Sequence, residues 1–247
     1  MSGANFWNTK SVTRLGIPGM MLTDGPHGLR KQGGKPDHLG LNKSIPATCE
    51  ALIEKMGTHL GLGVASEGVS VLLDPGVNIK RSPLCGRNFE YFSEDPLLCG
   101  KMAAALIRGI QSNGISACVK HYVANSQELW RMINDSVLDE RTLREIYLSA
   151  FEIAVKEGGV KCLMTSYNKV NGIYAHEHPH LLREILCGEW ELDGVVRFSL
   201  FAMTVLRRYW VIRFPMRNGT VTHQSVSTIP SLRANICPVV WAGISIA

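Results

Sequence analysis

The sequence predicts an α/β fold of the (β/α)8 TIM-barrel type, incomplete, and three observations carry that prediction. Short apolar runs alternate along the chain with amphipathic segments, the order that produces right-handed crossovers and a mainly parallel sheet. Polar residues sit at or just past the ends of those apolar runs, where barrel enzymes collect their chemistry. No glycine-rich phosphate fingerprint opens a helix, so a nucleotide-binding doubly wound sheet loses its support.

Five runs read as buried strands: GMMLT at 19–23, VSVLL at 69–73, SACVKHY at 116–122, VKCLMTSY at 160–167 and DGVV at 193–196. Each is short, apolar and followed by polar or turn residues. Helical patterns occupy 50–60, 96–112, 140–157 and 180–190. The third is the clearest. Asp139 supplies an N-cap, Leu143, Ile146, Tyr147, Ala150, Phe151 and Ala154 form one apolar stripe, and Gly158 with Gly159 ends it.

At 247 residues, 45% of them hydrophobic, the chain can bury one substantial core. Disordered and fibrous classes are excluded by the same composition. The net charge of +5 is unevenly spread. No Asp or Glu follows Asp193, while six arginines do (Arg197, Arg207, Arg208, Arg213, Arg217 and Arg233), leaving 20 basic against 21 acidic residues in the first 193. Scattered arginines without a reading module argue against a nucleic-acid partner. Seven widely spaced cysteines with no CxxC pair point to reduced, mostly buried thiols. With no apolar leader and no bilayer-length run in the main body, a cytoplasmic location and no membrane partner are expected.

Four stretches could carry chemistry. TDGPHGLR places Asp24 at a strand end, with Arg30 beyond a tight turn, so a carboxylate and a guanidinium could share a pocket. Alone, it reads rather as a capped turn with a solvated Arg. KRSPLCGRNFEYFSEDP gathers Arg81, Arg87, Glu90, Glu94, Asp95 and aromatic residues, a density typical of binding loops, against a structural ion-pair network. ACVKHYVAN sets Lys120 beside His121. Neighbouring strand residues face opposite ways, so the pair reaches one ligand only through a cis peptide or a sharp turn. AHEHPH offers three histidines at alternate positions, but it precedes a helix and recruits no evident cysteine or distant carboxylate, so it reads as a polar loop and helix start.

Together these segments resemble glycoside hydrolase family 3, in its β-glucosidase branch. The stretches FWNTKSVTRLGIPGMMLTDGPHGLRKQ, PDHLGLNKSIPATC, EGVSVLLDPGVNIKRSPLCGRNFEYFSEDP, VKHYVANSQE, DERTLREIYLSAFEIAVKE and MTSYNKVNG carry the resemblance over residues 6–196. It implies an N-terminal barrel with a glucose-binding pocket and an aspartate nucleophile, followed by an α/β sandwich domain that supplies an acid/base glutamate. It makes Asp24 a carboxylate gripping sugar hydroxyls, with Arg30 near it. It further makes Arg87, Lys120, His121 and Arg131 sugar contacts, and Met164 and Tyr167 the pocket wall. Carboxylate, Arg and Lys groups satisfy paired hydroxyls by charge-assisted hydrogen bonds, so the chemistry suits a polyhydroxylated ligand.

The resemblance stops at Val196. The family's motif there runs approximately GVVVSDWGAV, with its Asp as nucleophile, whereas here Arg197, Phe198, Ser199 and Leu200 follow GVV. Ser199 occupies the nucleophile position. Loss of likeness and of acidic residues at one point suggests a reading-frame shift near codon 197, making 1–196 a truncated barrel and 197–247 an unmatched tail. After Cys49, EALIEK follows where the family carries a barrel strand first, which suggests an internal deletion. A retaining glycosidase needs two carboxylates about 5 Å apart, and a serine hydroxyl is un-ionised near neutral pH.

The expected function is therefore a β-glucosidase-type hydrolase by family, with this chain inactive alone. A non-catalytic sugar-binding or pseudogene-like fragment is the alternative, and a phosphate-handling barrel using Lys120 and the tail arginines is a third reading. The expected ligand is a β-glucoside or glucose-like small molecule, with no cofactor or metal.

Overall fold

The structure, a computed structural model, describes residues 4, 7–25, 49–197 and 212–213. Six strands form the main sheet in the order β1, β2, β3, β5, β8, β9: β1 Leu22–Asp24, β2 Val71–Leu73, β3 Ser116–Tyr122, β5 Cys162–Thr165, β8 Val195–Arg197 and β9 Ile212–Arg213. The first five are mutually parallel and β9 is antiparallel to β8. A small second sheet joins β4 Asp135–Ser136, β6 Lys169–Val170 and β7 Ile173–Tyr174. Every apolar run read as a strand is one, with the first and last displaced to 22–24 and 195–197. Met21 pairs instead, antiparallel, with Asn8.

Helices α1 Glu50–Ser66 and α2 Pro96–Gln111 follow β1 and β2 and lie against each other. Asp95 caps α2 through the Leu98 N–H at 2.8 Å, with Pro96 at the first turn. The third helix starts as α3 Glu140–Thr142, winds as a π-helix over Leu143–Leu148 and finishes as α4 Ser149–Lys156. Asp139 caps it as expected, accepting from the Thr142 N–H at 2.9 Å. The stripe is corrected at one position: Ile146 is exposed, because the wider π turn changes the phase at which side chains meet the core. The fourth helical pattern is also a π-helix, His180–Glu189.

Alternation within the strands divides the interior in two. Leu72, Ala117, Val119 and Leu163 face the helices and join the main core with Phe151, Ile107 and Ile185. Val71, Leu73, Cys118, Cys162 and Met164 face the other side, where they form a second apolar cluster with Leu22. That inner face leads directly to Lys120, two residues beyond Cys118 on β3.

Helices α1 and α2 approach closely because glycine lines the crossing. A Cβ at Gly57 would lie 2.6 Å from the Leu106 carbonyl oxygen and one at Gly61 2.6 Å from that of Ile110, while one at Gly109 would collide with the carbonyl of Glu54. Gly63, also in α1, has nothing within 4 Å of such an atom. Among the described residues no helix is long and apolar enough to cross a membrane.

Candidate active site

The site is built at the carboxyl ends of β1, β2, β3 and β5. Asp24 ends β1, Asp74 follows β2, Lys120 and His121 lie near the end of β3, and Tyr167 lies just past β5. Met164 is the register partner of Lys120 across β3 and β5, which brings both to one place. The expected irregularity at Lys120 and His121 is present: their peptide bond is cis, and the β3–β5 register shifts between Lys120 and Tyr122.

Lys120 is the centre of the charges. Its ammonium lies 3.3 Å from Glu90 Oε2 and 3.9 Å from Asp24 Oδ1, with 3% of its side chain exposed. Glu90 also takes the Arg87 guanidinium through Nε. Burial pulls the Lys120 pKa down, but the charges of Glu90, Asp24 and Asp74 outweigh it and hold the ammonium above its ordinary value. Burial likewise raises Glu90, and Lys120 with Arg87 more than offset it, so the carboxylate stays ionised. The two acidic partners of Lys120 differ in exposure: Glu90 shows 2% of its side chain and Asp24 shows 37%. Glu90 is thus an internal counter-ion, and Asp24 is the carboxylate open to a ligand.

His121 anchors the other half. Asn78 clamps its backbone, donating from Nδ2 to the His121 carbonyl and accepting from its N–H, both at 2.9 Å. Its ring Nδ1 is 3.5 Å from the Tyr91 hydroxyl. Burial, with Arg87, Lys120 and Arg131 nearby, drives the imidazole pKa well down, so the ring is neutral. From Tyr91 the contacts continue through Asn125 to Glu128, at 3.4 and 3.2 Å, and from Glu128 to Arg131 at 2.7 Å. Arg131 then stacks over the Tyr167 ring, 4.9 Å from its centroid.

Ion pairs and strand register thus link Asp24, Arg87 and Met164 to Lys120, while His121 connects through Tyr91, Asn125 and Glu128 to Arg131 and Tyr167. Arg30 and Ser199 lie outside the described residues. Reasoning from sequence missed Asp74, Asn78, Tyr91 and Asn125, and it named Glu90 only as one charge of a loop. Asp74 is 2% exposed and burial pushes its carboxyl up to about 8, offset only in part by Lys120. The dipeptide Asp74–Pro75 at a strand end was the available signal, and it reads as a turn. Glu94 stays outside the contacts, and Asp95 acts as a helix cap. In AHEHPH, His180 opens the π-helix and its ring contacts Glu184 and Glu140, at 2.6 and 3.0 Å.

The chain is a parallel α/β domain with its polar site at the carboxyl ends of the strands, the arrangement of barrel enzymes. It belongs to glycosyl hydrolase family 3: the family described as "Glycosyl hydrolase family 3 N terminal domain" matches residues 4–213. It is similar to thermostable beta-glucosidase B of Acetivibrio thermocellus, 53% identical over 79% of this chain and 27% of that protein. A beta-glucosidase of Rhizobium radiobacter is 50% identical over 81% of this chain and 25% of its own length. Beta-glucosidase 3B from Thermotoga neapolitana, solved in complex with alpha-D-glucose, superposes with a TM-score of 0.72 and 43% identity, covering 80% of this chain and 29% of that one. The chain spans about a quarter of the length of the curated relatives it matches.

Proposed function

We propose that this chain is the substrate-gripping barrel portion of a β-glucosidase-type glycoside hydrolase, one that removes terminal β-D-glucosyl residues with retention, and that on its own it binds sugar without turning it over. The observation that carries the reading is the exposure difference around Lys120. One carboxylate, Glu90, is spent inside on the cation, and the other, Asp24, is left facing outward beside it. A carboxylate accepts from vicinal hydroxyls and the ammonium beside it donates to them, as a sugar requires. Arg131 over Tyr167, with Met164, supplies the wall, and the alpha-D-glucose found with the Thermotoga neapolitana relative is a ligand of this kind. Such contacts assist hydrolysis only where they tighten in the transition state.

The proposed lack of turnover rests on position 199, where a serine stands at the place the resemblance gives to the family's nucleophile. Asp74 does not replace it, because it holds a proton near neutral pH and is 2% exposed. We further propose that residues 1–196 are barrel, that a strand is lost after Cys49, and that 197–247 is read in a shifted frame. Nucleotide sequence across codon 197 tests the last point: an alternative frame encoding Ser-Asp-Trp is expected there, and its absence ends the idea. For the function itself, calorimetry with glucose or gluconolactone is expected to give binding that Asp24→Ala abolishes in a chain that still melts cooperatively. Binding indifferent to Asp24 would overturn the assignment.

A further inference from the structure

Beneath Lys120, on the same inner face, the two strands present three sulfur atoms. Cys118 of β3 is the direct register partner of Cys162 of β5, and adjacent strands run about 4.8 Å apart, so the two thiols meet across one rung. Met164 is two residues beyond Cys162 and therefore on the same face, and all three belong to one contact cluster. None is more than 5% exposed. Arg197 of β8 is the register partner of Met164, which places its buried guanidinium beside the cluster.

We infer that Cys118, Cys162 and Met164 form a binding site for a soft monovalent cation of the Cu(I) type, with Arg197 as its counter-ion. Thiolate and thioether ligands select such ions over Mg²⁺ or Ca²⁺. The charges balance: the cation replaces two thiol protons, which leave to solvent, and the resulting bis-thiolate complex carries one negative charge against one guanidinium. That neutrality matters in a buried place, where an isolated charge is costly. Two thiols without the thioether would leave a two-coordinate site, and Met164 closes it to three. No electron is transferred, so neither oxidant nor reductant is required.

The test uses the full chain with Cys49, Cys187 and Cys237 replaced by Ser, removing the exposed thiol, the half-buried thiol and the one in the tail. Anaerobic titration with Cu(I), supplied as its acetonitrile complex against a chromogenic chelator, is expected to give one ion per chain and two protons released. Cys118→Ser and Cys162→Ser should each abolish it, and Arg197→Met should weaken it by about 10–100-fold, as loss of a supporting partner does. X-ray absorption on the chain with both thiols intact covers the case in which a cysteine variant fails to fold, since it should show an all-sulfur shell. A nitrogen or oxygen shell, binding unchanged by either cysteine substitution, or a mass lower by two hydrogens with no metal gained, would overturn the inference. None of these results depends on sugar binding at Asp24.

Discussion

Lys120 holds two carboxylates of different duty, and single substitutions should separate them. Lys120→Met leaves Glu90 buried with only Arg87, so it should cost about 3–5 kcal/mol in urea unfolding, the range for breaking a buried ion pair. Asp24→Ala touches a partly exposed partner and should leave stability within about 0.5 kcal/mol, as exposed pairs do, while removing glucose binding. Titration distinguishes Asp74 from His121. Asp74 titrates at about 8 when folded against an ordinary 3.8, so between those values the folded chain keeps a proton that the unfolded chain has lost. Its contribution to stability is full below pH 4 and declines as pH rises to 8. Asp74→Asn should therefore flatten that decline, raising stability at pH 8 and changing little at pH 4. His121 acts in the other sense: held neutral by burial, it loses stability as pH falls below its ordinary 6.5. Lys120 and His121 were legible as polar groups ending an apolar run, and Arg87 as one charge of a dense loop. Asp74 and Asn78 were not, since their importance lies in burial beside Lys120 and in the clamp on the His121 backbone, neither of which leaves a local pattern.

The five parallel strands were legible, because buried parallel strands are continuous apolar runs bounded by turn residues, whereas the two-residue strands β4, β6, β7 and β9 are too short to leave a pattern and were not read. What the sequence could not show was helical phase. Leu143–Leu148 winds as a π-helix, and that extra width turns Ile146 outward while Leu143, Ala150, Phe151 and Ala154 stay in the core. The cap on the same helix was readable and is testable: Asp139→Ala removes the bond to the Thr142 N–H and should destabilise by about 1 kcal/mol. Strand β8 carries a second case. Arg197 follows Val195 and Val196 and pairs with Met164, which puts a guanidinium on an inner, apolar face. Burial lowers its pKa below the ordinary arginine value. As sequence, Arg197 registered only as the first of six tail arginines.

At the scale of the molecule, the family match and the parallel sheet agree with the fold class read at the outset, and about a quarter of each curated relative is represented. If the chain only grips, an aryl β-glucoside should be bound and not cleaved, and chromogenic release at the level of buffer is the expected result. Turnover that Asp24→Ala abolishes would show that catalytic carboxylates exist where none has been assigned. The glycine-lined crossing of α1 and α2 has a consequence for how such a chain can drift. Sequences released from selection for catalysis are still filtered for whatever lets the backbone close, and here two helical backbones meet with no room for a single added carbon. In a saturation-mutagenesis library scored for soluble expression, Gly57, Gly61 and Gly109 should return almost unchanged, while Gly63, two residues beyond Gly61 on the outward side of the same helix, should accept alanine and improve with it, as solvent-facing helical glycines do. Descendants of this chain would then preserve a signature of three glycines long after the residues at Asp24 and Lys120 had been lost.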